Sequence, residues 1–260
     1  MKGNEMEKTE YELLLDACIL AGKLMMENGA EMHRVEDTMN RILESKQGEG
    51  AGVSFVLPTG IFVTTSDGEQ IKMKRIRKRR SNLAKLADVN QLSRLFSANE
   101  IDVYELYMSL KEINSDAMQY PVWMKYVAAA FVSAFMMLIF EGSLFDFPIT
   151  MLLGMIGFGI HYYASKKLNV KFIAEFIASF SIGVLTICLQ RKGLIIDFET
   201  VIIGSIMLMV PGIPIMNSIR DFLVGNTISG TVFMVEALFI AIMIGSGIMA
   251  SLQVMAGVFL

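Results

Sequence analysis

The chain has 260 residues, 53% of them hydrophobic and 19% charged, with 21 Met, 21 Gly and a mean hydropathy of +0.50. Two cysteines, Cys18 and Cys188, exclude a disulfide framework and a cysteine-based zinc site, and read as small buried hydrophobes. The net charge of −3 hides a split: residues 1–121 carry sixteen of the 23 Lys and Arg and nineteen of the 26 Asp and Glu, so a polar half is joined to a half that water would not dissolve.

The N-terminus is polar and acidic, with no short apolar core and cleavage site after it, so no signal peptide is expected and the polar half is expected in the cytosol. Residues 9–28 predict a nearly all-round apolar helix through Leu13, Leu14, Ala17, Cys18, Ala21, Leu24 and Met25, stopped at Asn28-Gly29. A second helix, 31–45, sets Met32, Val35, Met39 and Ile42 on one side and Glu31, Arg34, Glu36, Asp37 and Arg41 on the other. The two should pair as a hairpin. After the glycines at 48–52 the period falls to 2: Val53, Phe55, Leu57, then Ile61, Val63, Thr65, then Ile71 and Met73, with turns at Pro58-Thr59-Gly60 and Asp67-Gly68. That predicts a three-stranded meander. Helices at 82–96 and 100–114 follow, and Ser97-x-x-Glu100 fits a capping box opening the second. Residues 1–118 thus predict a cytosolic α+β domain.

The basic run from Lys72 to Arg80 fits either anionic lipid head groups or a solvated strand end leading into a helix; on a membrane-tethered chain nucleic acid is not the expected partner. Residues 119–260 open with Tyr120, Trp123 and Tyr126, aromatics suited to the head-group level. They predict a five-span transmembrane domain, with spans at 121–140, 148–165, 171–189, 199–217 and 230–254. Lys166, Lys167, Lys171 and Arg220 fall on the side of the polar half, whereas Glu141, Asp146, Asp197 and Glu199 fall opposite, beside Arg191 and Lys192. The positive-inside rule then puts the N-terminus in the cytosol and the C-terminus outside the cell membrane. A five-span unit with its ends on opposite sides resembles half of an inverted-repeat transporter, so a second membrane subunit or a homo-oligomer is expected. Gly154-x-x-Gly157-x-Gly159, Ala174 with Ala178, and Gly245-x-Gly247 offer places for helices to pack.

The fourth span does not read as a plain lipid-facing helix. Val210-Pro211-Gly212-Ile213-Pro214 interrupts it, and Asn217, Ser218, Arg220 and Asp221 follow within two turns. Each proline removes an amide donor and clashes with the turn before it, and broken backbone at membrane depth is tolerated only inside protein or beside a wet cavity.

This stretch, from Val210 to Asp221 and on through Gly225-Asn-Thr-Ile-Ser-Gly230 to Leu238, resembles the threonine/serine exporter family, as does Ala21 to Met39 with Pro58-Thr-Gly-Ile61 and Arg79 to Asn90. The resemblance covers nearly the whole chain. It implies the larger, N-terminal component of a split two-protein exporter, the split members being linked to dicarboxylates such as succinate and the ten-span members to threonine and serine. Every such solute carries a carboxylate, which a helix N-terminus attracts. The expected substrate path is therefore Pro211, Gly212, Pro214, Asn217 and Ser218, with Arg220 as counter-charge. Asp221, Glu236 and Glu175 are the proton-coupling candidates, since an ionisable group in a span costs about 2.5–3.5 kcal/mol. Arg220-Asp221 also fits a loop ion pair, Glu175 lies near a span end within reach of water, and His161 beside Tyr162 and Tyr163 reads as an interfacial anchor.

In the polar half, His33, Arg34, Glu36 and Asp37 are the group with catalytic residue types. They lack a third ligand or nucleophile at a telling spacing, so docking or gating is expected there, with hydrolysis or a scaffold role as the alternatives. Neither a metal nor another cofactor is expected, and no Gly-x-x-x-x-Gly-Lys-Ser/Thr loop argues for ATP. The expectation is a secondary, proton-coupled exporter subunit of small carboxylate-bearing solutes, and not an enzyme.

Overall fold

A computed structural model describes residues 2–47, 52–65, 70–77, 79, 81–115, 120–168, 170 and 172–259. The Gly48–Ala51 part of the linker, the Asp67-Gly68 turn, Lys78, Arg80, Lys171 and the expected domain boundary at 118/119 lie outside the described residues. The chain divides into two compact units. The first comprises Met1–Met118 with Met216–Phe233, the second Gln119–Ile215 with Met234–Leu260.

In the first unit, α1 (Lys2–Glu27) starts seven residues earlier than the apolar pattern, and α2 (Met32–Gln47) follows after a short turn. The turn needs a left-handed residue. Gly29 sits at φ +92°, its amide donating to the Met26 carbonyl at 3.4 Å and that of Ala30 to the Met25 carbonyl at 3.0 Å. These two bonds close the end of α1, and a side chain at Gly29 would be strained. Leu15, Ala17, Cys18, Ala21 and Met25 of α1 face Met32, Val35, Met39 and Ile42 of α2 in one apolar core. Burial pushes the Cys18 thiol well above its usual range. Cys188, in the second unit, is half-buried.

Strands β1 (Gly52–Leu57), β2 (Gly60–Thr65) and β3 (Ile71–Arg75) make the antiparallel meander in the order β1-β2-β3. Val56, Ile61 and Val63 point into the core while Val53, Phe55, Ile71 and Met73 stay exposed, as period-2 alternation requires. Helices α3 (Leu83–Ser97) and α4 (Val103–Ser115) close the unit. The cap of α4 corrects the sequence reading. Asp102 accepts from the Glu105 amide at 2.7 Å and Glu105 from the Asp102 amide at 3.1 Å, so the box is Asp102-x-x-Glu105. Ser97 is instead the last residue of α3, its hydroxyl donating to the Ser93 carbonyl, and α4 opens only at Val103.

The second unit holds α5 (Val122–Ile139), α6 (Phe147–Leu168), α7 (Ile173–Arg191), α8 (Phe198–Ile206) and most of α10 (Thr227–Phe259). Among the described residues four helices are long and apolar enough to cross a membrane, and five spans result if α8 and the helix bent away from it, α9 (Gly212–Val224), count as one. Small residues set the packing. A Cβ at Gly154 would lie 2.3 Å from the Ser133 Cβ, and one at Gly247 would lie 2.7 Å from the Phe176 carbonyl. Both glycines therefore serve contacts within the chain. Asp146 is fully buried where α6 begins, its carboxylate taking the Ile196 amide at 2.9 Å and the Asp197 amide at 2.8 Å. It pins the α7–α8 connection to the head of α6, a structural role that counting it as a loop charge did not suggest.

Candidate functional site

The fourth hydrophobic segment breaks where the prolines stand. Helix α8 runs on through a 3-10 turn, Met207–Met209, and α9 (Gly212–Val224) leaves at 64° to it. Phe198 to Met209 spans about 18 Å at 1.5 Å per residue, short of a ~30 Å hydrocarbon core. The first turn of α9 is poor in free amides. Pro211 and Pro214 have none, the Gly212 amide donates to the Val210 carbonyl at 2.9 Å and that of Ile215 to the Pro211 carbonyl at 3.1 Å. An anion at this helix start would find fewer donors than an ordinary N-terminus presents.

Farther along, α9 is built inside out. Asn217, Ser218 and Asp221 are buried, whereas Met216, Ile219, Phe222, Leu223 and Val224 are exposed. Spacing of one and four residues sets the three polar side chains on one stripe. Ser218 donates to the Gly230 carbonyl of α10 at 2.7 Å. The helix ends at Gly225, φ +92°, whose amide bonds Phe222 while that of Asn226 reaches the Asp221 carbonyl at 2.8 Å. Ring atoms of Phe222 lie about where a Cβ on Gly230 would go, 2.9 Å away. The α9–α10 turn is thus tight, and it fixes the direction of the polar stripe.

That stripe meets α2 inside the first unit. Arg220 forms an ion pair with Glu31, and the other Glu31 oxygen lies 3.6 Å from Nε2 of His33. Glu31 is buried and Arg220 about half exposed. Asp221 is fully buried, and its carboxylate makes no well-formed hydrogen bond, the Met32 amide being the backbone donor that reaches it; Nδ1 of His33 is buried and unpartnered. His33 and Glu36 supply the charges that reach Asp221. Glu36 also accepts the Val56 amide at 3.0 Å, tying α2 to β1. Three carboxylates thus share one guanidinium and one imidazole.

Of the cytosolic quartet, His33 and Glu36 belong to this cluster. Arg34 and Asp37 do not: both are exposed, and Asp37 pairs with Arg41 at 2.6 Å. Glu31 was visible in the sequence only as one more polar residue on α2, although it follows directly on the Asn28-Gly29 stop. Among the described residues no group of three His, Cys, Asp or Glu is placed to hold a metal ion.

The remaining candidates lie elsewhere. Glu175, in the first turn of α7, approaches His161 of α6, Oε1 to Nε2 3.4 Å, with its second oxygen buried and unpartnered. His161 is therefore a partner of Glu175, where the sequence suggested an aromatic-flanked anchor. Glu236 is half-buried on α10 in the second unit. In the basic run, Lys72 is held by Asp16 at 2.6 Å, while Arg79 donates to the Pro58 carbonyl at 2.6 Å and lies over the Phe233 ring at 4.7 Å. Phe233 itself is buried in the core of the first unit.

Apolar helices of spanning length, one broken pair and a buried polar stripe beyond the break define a multi-pass helical membrane protein. Residues 16–255 match the family model described as "Putative threonine/serine exporter". The chain belongs to the threonine/serine exporter family. It is also similar to the pheromone-regulated membrane protein 10 of Debaryomyces hansenii (25% identity, 87% of this chain, 23% of the relative). The proteins of that name from Candida albicans SC5314 (25%, 87%, 21%) and Saccharomyces cerevisiae YJM789 (26%, 87%, 30%) are similar too. The chain therefore spans under a third of the length of these curated relatives. No solved structure matches it.

Proposed function

We propose that the chain is a subunit of a proton-coupled secondary exporter of small carboxylate-bearing solutes, threonine and serine or a C4-dicarboxylate such as succinate. It acts in the cell membrane with the N-terminus in the cytosol and the C-terminus outside, together with a second membrane subunit or further copies of itself. Pro211, Gly212, Pro214, Asn217, Ser218 and Arg220 line the solute path, and Asp221, Glu236 and Glu175 carry the proton. The reading is transport and not hydrolysis: Arg34 and Asp37 stand exposed, and Asp37 is taken up by Arg41.

One observation carries the reading: past a 64° break, α9 buries Asn217, Ser218 and Asp221 and leaves its apolar residues outside. A buried carboxylate with no cation paired to it and no well-formed hydrogen bond is costly as an anion. Alternate loading with a proton relieves that cost, which is what coupling to a proton gradient requires.

Efflux of labelled threonine, serine and succinate from cells carrying the chain, with and without a second subunit, tests the proposal. Export of at least one solute, lost or freed of its pH dependence in Asp221→Asn, is the expected result. Flux of none of the three, or full pH-dependent efflux in Asp221→Asn and Glu236→Gln alike, removes the assignment.

A further inference from the structure

The Arg220 guanidinium, the counter-charge expected for a solute carboxylate, is already held by a carboxylate of the chain itself. Glu31 supplies it from the head of α2, buried, through Oε1. The other Glu31 oxygen faces His33, so the side chain has a second partner within 3.6 Å. About half of Arg220 remains exposed, and a guanidinium carries five donors in a planar fork. An incoming carboxylate can therefore reach the guanidinium while Glu31 is still on it. Glu31 stays within the cluster when it turns to His33, so an entering carboxylate adds one negative charge, against which the imidazole is the second cationic partner on hand.

We propose that Glu31 is an internal stand-in for the solute carboxylate: it caps Arg220 when no solute is present, and a small carboxylate displaces it towards His33. The inference rests on the export reading above and adds to it a specificity-determining residue in the first unit. Two features favour exchange over a fixed structural bridge. Asp221, the next residue to Arg220, is buried with the Met32 amide in reach but in no ion pair, so among the described residues the guanidinium is held by Glu31 alone although a second carboxylate stands beside it. His33 Nδ1 is also buried without a partner, which leaves the imidazole free to take up a changed hydrogen-bond pattern when Glu31 turns to it.

The test measures the half-saturating concentration of labelled threonine, serine and succinate in everted membrane vesicles holding the full chain, with and without a second subunit. Its variants are Glu31→Gln, Arg220→Gln and the exchange Glu31→Arg/Arg220→Glu, each also followed by thermal unfolding in detergent. A charged hydrogen bond contributes about 1.5–3 kcal/mol, which corresponds to about tenfold or more in affinity. Glu31→Gln is expected to lower the half-saturating concentration about tenfold and Arg220→Gln to raise it by about as much. The exchanged pair should regain the wild-type unfolding midpoint yet bind solute as weakly as Arg220→Gln. Recovery of wild-type half-saturation by the exchanged pair, or an unchanged value in Glu31→Gln, overturns the proposal and leaves export standing. If Glu31→Gln fails to accumulate, Glu31→Asp replaces it; the shorter arm should lower the half-saturating concentration partway, and an unchanged or higher value overturns the proposal. If wild-type vesicles move none of the three solutes, the export reading falls and this inference falls with it.

Discussion

Arg220 of α9 and Glu31 of α2 form an ion pair across 189 residues of sequence, and it is the contact through which the two most telling stretches of the chain meet. Removing one partner of a buried pair leaves the other charge stranded, which costs about 3–5 kcal/mol in a fully buried setting. Arg220 is about half exposed, so screening reduces this to roughly 1–2 kcal/mol. Arg220→Gln is expected to lower the unfolding midpoint of the purified protein by a few degrees. Glu31→Gln/Arg220→Gln together should cost less than the sum of the single changes, as a double-mutant cycle would show.

Asp221→Asn is expected to act in opposite directions on stability and on flux. The buried carboxylate has no cation paired to it and no well-formed hydrogen bond, so replacing it with a neutral amide of the same shape should stabilise the fold by about 1–3 kcal/mol. A raised unfolding midpoint together with lost pH-dependent efflux is the expected pair of results. A lowered midpoint would mean that the Met32 amide holds the carboxylate more strongly than burial opposes its charge.

How much of this was legible in the sequence depended on how local the cause is. The helix break at Val210-Pro211-Gly212 follows from covalent chemistry within five residues and could be read directly. The strands and the α1–α2 hairpin followed from their periods, although Val53, Phe55, Ile71 and Met73, the alternating apolar residues of β1 and β3, lie on the exposed side. The Glu31–Arg220 pair could not be read, because the charge of Glu31 differs in nothing local from that of Glu27 or Glu36, and only the fold brings it to α9. The cap of α4 failed for a related reason. Ser97-x-x-Glu100 and Asp102-x-x-Glu105 are equally good boxes on paper, but α3 runs to Ser97 and α4 starts only at Val103, so the second is the one in place. The inside-out face of α9 was half visible: Asn217, Ser218 and Asp221 could be named, but not the α2 cluster they turn towards.

Asp146 should prove as sensitive as any residue of the second unit. Its two charged hydrogen bonds to backbone amides are worth about 1.5–3 kcal/mol each. Asp146→Ala is expected to destabilise by at least about 3 kcal/mol and to reduce the amount of protein in the membrane, while Asp146→Asn, which can still accept one amide, should lose about half as much. Thermal unfolding in detergent and quantitative blotting measure both.

Gly154→Ala is expected to cost about 1–3 kcal/mol, the usual range for overpacking. The added methyl would sit 2.3 Å from the Ser133 Cβ, so Ser133→Ala should not rescue it and Ser133→Gly should. Comparing the midpoints of the single and double variants decides the matter.

Cys18 should be silent towards thiol reagents in the folded protein. It is fully buried, and burial raises its pKa, so its thiolate fraction stays small even as pH climbs through the usual thiol range. Maleimide at pH 8 is expected to leave Cys18 unmodified until the first unit is unfolded, with peptide mass spectrometry as the readout.

The first unit is assembled from two stretches of chain, Met1–Met118 and Met216–Phe233, with Phe233 seated in its apolar core. A ribosome making this protein therefore releases the amino-terminal portion long before that core can be completed. At about 5–20 residues per second, the interval between the two stretches lasts roughly 5–20 s. During that wait Glu31 lacks Arg220 and the place of Phe233 stands open. Completion of the first unit is in this way timed by the synthesis of α9 and the start of α10.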